Sequence, residues 1–150
     1  MNLDWLSTLP VREYSSGEEI IRQETCLKEL YFLRTGQVEV TKGDTRVTLI
    51  KTPGSVLGEI SLMLNIDTTA TVRAATSASC FVASNPFEFL KSNPEVHMQV
   101  SRALAFRLNA ATTYLVDVKD QLKDCSDHVG MVDGVIDALV HRDLKKKVPV

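Results

Sequence analysis

The sequence predicts an α+β, mainly β fold: an antiparallel roll or sandwich of short strands, opened by a short N-terminal helix and closed by C-terminal helices. Three observations carry this expectation. Between about residues 11 and 85, apolar and polar residues alternate in short runs separated by glycine-containing turns. From about Pro86 the apolar period becomes helical. The runs also follow one another too closely for alternating βα units, which need long crossovers.

The elements follow in order. Residues 1–10 form a short amphipathic opener, with Leu3, Leu6 and Leu9 spaced by three and Pro10 as a stop. Such a segment is too short to hold a helix alone, so Leu6 and Leu9 are expected to lie on the body of the domain. Leu30-Tyr31-Phe32-Leu33-Arg34 reads as a strand, then Thr35-Gly36 as a turn. Gln37-Val38-Glu39-Val40-Thr41-Lys42 alternates strictly, Gly43-Asp44 turns the chain, and Arg46-Val47-Thr48-Leu49-Ile50-Lys51 alternates again. Pro53-Gly54 marks another turn. Ala70-Thr71-Val72-Arg73-Ala74 and Ser79-Cys80-Phe81-Val82-Ala83 bring the count to at least five strands.

Pro86 to Lys91 reads as a short helix ended by Asn93-Pro94, and Glu95 to about Lys123 runs without Gly or Pro. In that long segment Leu104, Leu108, Ala111, Leu115, Val118 and Leu122 fall at spacings of 4, 3, 4, 3 and 4, an a/d heptad seam. The seam either pairs with a second copy or packs on the β structure of its own chain. A break over Cys125–Gly130 precedes a last helix, whose apolar face is Met131, Val132, Val135, Ile136, Leu139 and Val140. Lys145-Lys146-Lys147 then suits a solvated helix C-terminus. The expected division is 1–123 for the main domain and 124–150 for an additional helix and tail.

A chain of 150 residues supports one sizeable core. Its 44% hydrophobic and 24% charged fractions are those of a globular protein. Lys plus Arg (17) nearly balances Asp plus Glu (19), giving a net charge of -2, so no general attraction to nucleic acid or an anionic membrane follows. No apolar run reaches transmembrane length, and the first residues lack a secretory pattern. Cys26, Cys80 and Cys125 stand far apart, which argues for reduced thiols in a cytoplasmic setting, each as a small buried hydrophobe.

Two stretches go beyond composition. One is Tyr14-Ser15-Ser16-Gly17-Glu18-Glu19-Ile20-Ile21 followed by Leu30 to Val40. The other is Pro53-Gly54-Ser55-Val56-Leu57-Gly58-Glu59-Ile60-Ser61-Leu62, closing with Ala70-Thr71-Val72-Arg73-Ala74. Over roughly residues 3–122 they resemble the cyclic-nucleotide-binding domain family of the catabolite activator protein and the protein kinase A regulatory subunits. The resemblance implies an antiparallel, double-stranded, jelly-roll-like β-roll of eight strands, flanked by helices. It also implies a cyclic nucleotide as candidate ligand, with no other cofactor. A phosphate-binding cassette would comprise Leu57, Gly58, Glu59, Ile60 and Ser61 with Thr68, Thr69 and Ala70. Thr112 and Thr113, with Tyr114, stand where lid residues of the long helix would approach the base, or else form ordinary helix surface.

The chain departs from the pattern at the cassette's end. Ten residues after Gly58, where the family places an Arg on the cyclic phosphate, it has Thr68. A one-residue slip yields only Asp67 or Thr69. Arg73 cannot substitute, because on a strand it points away from the face shared by 68, 70, 72 and 74. Losing a charge-assisted bond costs about 1.5–3 kcal/mol. At roughly 1.4 kcal/mol per decade, that is at least a ten- to hundredfold loss of affinity. The Gly expected after the first acidic position is also missing from Arg22-Gln23-Glu24-Thr25-Cys26, which alters a turn. Glu59 either contacts a ligand ribose or bonds the amides of its own loop.

Two functions remain open. One is a sensor with an atypical pocket for a cyclic nucleotide or related small ligand. The other is a ligand-free module used for homodimerisation along Leu104, Leu108, Ala111, Leu115, Val118 and Leu122, or for docking a protein partner. An enzyme is not expected, since His97, His128 and His141 have no ligand spacing and no nucleophile elbow or P-loop is present. After residue 123 only one short helix is expected, which argues for a stand-alone module without a DNA-binding domain: direct contact with DNA is not expected, nor is a membrane.

Overall fold

A computed structural model describes residues 4–123 and 126–140. Two compact units are present, one built on Met1–His97 and one on Met98–Lys147. Leu3, the 124 side of the expected boundary, Cys125, His141 and Lys145 to Lys147 lie outside the described residues.

The first unit opens with a single 3-10 turn, Asp4–Leu6, which buries Leu6. Eight strands follow: β1 (Val11–Tyr14), β2 (Glu19–Ile21), β3 (Leu30–Thr35), β4 (Val38–Lys42), β5 (Thr45–Ile50), β6 (Val56–Leu57), β7 (Thr71–Ala74) and β8 (Ala78–Ala83). They form two antiparallel four-stranded sheets, ordered β1-β8-β3-β6 and β2-β7-β4-β5. The five alternating runs are β3, β4, β5, β7 and β8. The others, β1, β2 and β6, are two to four residues long and become strands only by pairing across the sheet.

Burial follows the sheets' surroundings. Strand β8 is buried at all six positions, because both faces of the first sheet are covered. Inward, Tyr14, Tyr31, Leu33, Ala78, Cys80 and Val82 meet Ile20, Ile21, Val38, Val72 and Ala74 of the second sheet in one core. On the opposite face Phe32 lies edge-on to Trp5 at 6.0 Å and to Phe89 at 6.2 Å between ring centroids. The second sheet instead turns a charged face to water. Arg73 bonds Glu19 at 2.9 Å, Arg22 bonds Glu19 at 3.0 Å, and Arg46 bonds Glu39 at 3.0 Å. Such exposed pairs add little stability; their use is to keep this face polar.

Among the described residues four helices complete the fold: α1 (Glu59–Leu64), α2 (Pro86–Ser92), α3 (Pro94–Gln121) and α4 (Ser126–Val140). Pro86 opens α2, where a missing N–H costs nothing, and the Asn93 amide closes it on the Phe89 carbonyl at 2.8 Å. The break expected over Cys125–Gly130 is narrower than the sequence suggests, since α4 is already helical from Ser126. Gly130 in a helix costs only about 1 kcal/mol relative to Ala, too little to stop it. In the second unit Lys119 of α3 forms an ion pair with Asp133 of α4. Of the heptad positions, Leu104, Leu115, Val118 and Leu122 are half-buried, while Leu108 and Ala111 are exposed.

Cys80 is a buried hydrophobe, and burial pushes its thiol up to about 11. Cys26 is exposed, so the same expectation fails there. It lies in a surface loop, not on a covered strand.

A polar clamp ties β1 to the residue before β3. The Arg12 guanidinium donates to both Glu29 oxygens, at 3.0 and 3.2 Å, and the Tyr31 hydroxyl donates to Glu29 Oε2 at 2.6 Å. The bonds from Arg12, then those from Tyr31, hold the Glu29 carboxyl below the usual carboxylate range. A lowered folded-state pKa contributes stability above the unfolded value and loses it as pH falls through the folded one. Glu29→Gln should therefore melt below wild type near neutrality, with the gap narrowing as pH falls from about 5 toward about 3. A gap independent of pH in thermal melts would remove the charge from this account.

Candidate functional site

The cassette starts where β6, only two residues long, leaves the first sheet. Leu57 is buried, and Gly58 carries the chain into α1 with φ +89°, a left-handed conformation that disfavours any side chain. Glu59 follows at the first helical position, 2% exposed, with Ser61 and Leu62 buried and Ile60 turned outward. The helix lasts six residues, ended by Asn65 in the left-handed region, and Ile66 N–H bonds back to the Ser61 carbonyl at 3.0 Å. Thr69 and Ala70 are half-buried and lead into β7. There Val72 and Ala74 are buried while Arg73 is exposed and held by Glu19. Arg73 faces away, as strand alternation requires.

Thr68 is held at several points. Only 3% exposed, it bonds the loop after β2 through backbone and side chain alike. Its N–H donates to the Thr25 carbonyl at 2.9 Å, and its carbonyl accepts from Glu24 N–H at 2.8 Å. Its hydroxyl donates to the Arg22 carbonyl at 2.5 Å and accepts from Thr25 N–H at 3.0 Å. The Thr25 hydroxyl lies 3.3 Å away and itself donates to the Arg22 carbonyl. The hydroxyl's donor is thus committed to the protein.

The loop it holds explains the missing glycine. Glu24 keeps φ +60°, a left-handed conformation taken without glycine, at a cost of roughly 1–2 kcal/mol. The turn where the glycine is missing carries this left-handed residue, and Thr68 restrains it. Gly58 has its own neighbours: a Cβ there would stand 2.4 Å from Leu27 Cδ2 and 3.2 Å from Ile21 Cδ1. A side chain here would have to displace the Leu27 methyl, and the left-handed backbone angle favours glycine in any case. Arg22, Glu24, Thr25 and Leu27 were missed by sequence reasoning. The one available signal was the absent glycine in Arg22–Cys26.

A cavity of about 570 Å³ lies beside the cassette, its lining including Cys26, Lys28, Ser61, Ile66, Asp67 and Phe87. Of the expected ligand residues it reaches Ser61; Gly58, Glu59 and Thr68 do not line it. Thr112 and Thr113 belong to the second unit, and the Thr112 hydroxyl bonds the Leu108 carbonyl one turn back at 2.9 Å. Tyr114 is exposed. Among the described residues no group of three or more His, Cys, Asp or Glu is placed to hold a metal, and no helix is long and apolar enough to cross a membrane.

Two four-stranded sheets rolled together, with a glycine-led short helix inserted between β6 and β7, define a β-roll domain. The family described as Cyclic nucleotide-binding domain matches residues 11–87, and the chain belongs to that family. The HTH-type transcriptional regulator Cmr of Mycobacterium tuberculosis (strain CDC 1551 / Oshkosh) is 28% identical over 138 residues, 89% of this chain and 57% of that protein. The human potassium/sodium hyperpolarization-activated cyclic nucleotide-gated channel 2 is 40% identical over 72 residues, 47% of this chain and 8% of the channel. The chain thus spans little more than half of the first relative and a small part of the second. Among solved structures, Thermus thermophilus catabolite activator protein superposes with TM-score 0.66 at 24% identity, covering 76% of this chain and 56% of that one. The N-terminal domain of a transcriptional regulator from Streptomyces coelicolor A3(2) gives 0.55 at 20%, covering 74% and 86%. At these identities the likeness concerns the fold.

The clamp makes two opposite expectations. Thr68→Val leaves the Thr25 amide without its acceptor and takes one of two hydroxyls from the Arg22 carbonyl, and should destabilise by about 1–3 kcal/mol, whereas Glu24→Gly should stabilise by about 1 kcal/mol. Urea unfolding checks both. A Thr68→Val variant as stable as wild type would remove the clamp from the account.

Proposed function

We propose that the chain is a non-enzymatic regulatory module of the cyclic-nucleotide-binding fold with an atypical cassette, closed on its own loop rather than on a cyclic phosphate. The observation that carries this reading is Thr68. At the position of the family's phosphate Arg it brings no charge, and its hydroxyl proton is already given to the Arg22 carbonyl. A phosphate at Gly58-Glu59 would meet no cation from Thr68, Thr69 or Ala70, and Arg73 is engaged on the far side of the strand. A buried anion left unpaired is strongly disfavoured. The printed names of the relatives, a transcriptional regulator and a nucleotide-gated channel, support a regulatory rather than catalytic role.

Isothermal titration tests this. Cyclic AMP and cyclic GMP should give no saturable heat below high micromolar concentration, at least ten- to hundredfold weaker than a site with Arg, by about 1.4 kcal/mol per decade. Submicromolar binding of either overturns the reading.

A second reading, homodimerisation along the helices, is favoured by a separate observation. Leu108 is 46% exposed and Ala111 is exposed in the middle of the seam formed by Leu104, Leu108, Ala111, Leu115, Val118 and Leu122. A heptad seam left open at its centre suits a second copy of the same helix, whose period is the same. Sedimentation velocity should show a dimer at tens of micromolar and a monomer for Leu108→Glu. A wild-type monomer at that concentration rejects the pairing and leaves a different protein partner as occupant of the seam.

A further inference from the structure

We propose that Leu27 is the specificity-determining residue that closes the cassette to a cyclic phosphate. The inference rests on the atypical-cassette reading above and names the group that enforces it. A phosphate can use a backbone cradle only where the side of the glycine that lacks a Cβ is open. At Gly58 that side is covered by the Leu27 methyl, with Ile21 next to it.

Leu27 is half-buried and also lines the cavity beside the cassette. Its side chain packs against the inner core of the first unit, among residues that include Ile20, Ile21 and Leu57. The backbone just before it, from Arg22 to Thr25, is bound to Thr68 on both main chain and hydroxyl. Gln23 N–H donates to the Thr71 hydroxyl at 3.1 Å, and Gly43 N–H donates to the Gln23 side chain at 2.9 Å. Apolar contact therefore holds the side chain on Gly58 while hydrogen bonds hold the strap that carries it. The selection is steric and apolar: the volume facing Gly58 is occupied by hydrocarbon, which can neither solvate nor pair with an anion.

Shortening Leu27 tests the assignment without touching the Thr68 clamp. Wild type, Leu27→Val and Leu27→Ala would be titrated with cyclic AMP to millimolar concentration, following the Gly58 amide by NMR, with folding checked by circular dichroism. Leu27→Ala should bind at least tenfold more tightly than wild type, with Leu27→Val between them, although both truncations lower the melting temperature. A residue that served only as core would lower the melting temperature and leave affinity unchanged. Leu27→Val keeps the comparison valid if Leu27→Ala does not fold. Equal affinities across the folded variants overturn the role of Leu27 while leaving the weak-binding cassette intact. Submicromolar affinity of wild type overturns both.

Discussion

The hydrogen bonds between Thr68 and the loop after β2 are the constraint on which the rest of the cassette depends. Two segments more than forty residues apart in sequence meet there, and neither has a regular partner of its own. Main-chain bonds in both directions make the pair behave like a short piece of ladder between segments that are not strands. The threonine hydroxyl adds a donor and an acceptor to the same contact. Because both groups are withdrawn from water, leaving either unmet costs more than the bond itself contributes. This asymmetry is what can hold Glu24 in a left-handed conformation that an acidic residue otherwise avoids.

From that clamp the surroundings follow. Leu27, just beyond the loop, lies over Gly58, whose own backbone angle is left-handed. Gly58 thus stands in close contact with a distant part of the same chain. Charge is distributed consistently with this. Arg22 and Arg73 are both engaged by Glu19 at the outer face of the second sheet. The surface network of Arg12 with Glu29 and Tyr31 is neutral as a set.

The β-roll supplies the rigid frame for these contacts. The first sheet is covered on both faces, by the second sheet on one side and by the 3-10 turn and α2 on the other, which is why β8 has no exposed position. The second sheet is covered on one face only and alternates accordingly. The helices of the second unit present a different balance. Half-buried leucines and valines share the surface with exposed Phe106, Leu108, Tyr114 and Met131, an apolar patchwork that a lone soluble surface rarely keeps.

Much of this was legible in the residues themselves. Alternation located five strands and the change of period located the helices, because burial on one face of a strand or helix writes its spacing directly into the sequence. Motif order identified the cassette at Gly58-Glu59, and the place of Thr68 gave the loss of a cation. Strands β1, β2 and β6 were not legible, being too short to show a period before their partners are known. The helical start at Ser126 was hidden by Gly130, whose low propensity is only a small cost. What the sequence determined alone was the fold, the cassette's location and the absence of its arginine, all local properties of pattern and residue type. Only the tertiary structure decided what Thr68 and Gly58 touch. Their partners, Arg22, Thr25 and Leu27, lie more than thirty residues away, and such contacts arise from chain geometry that no local pattern records.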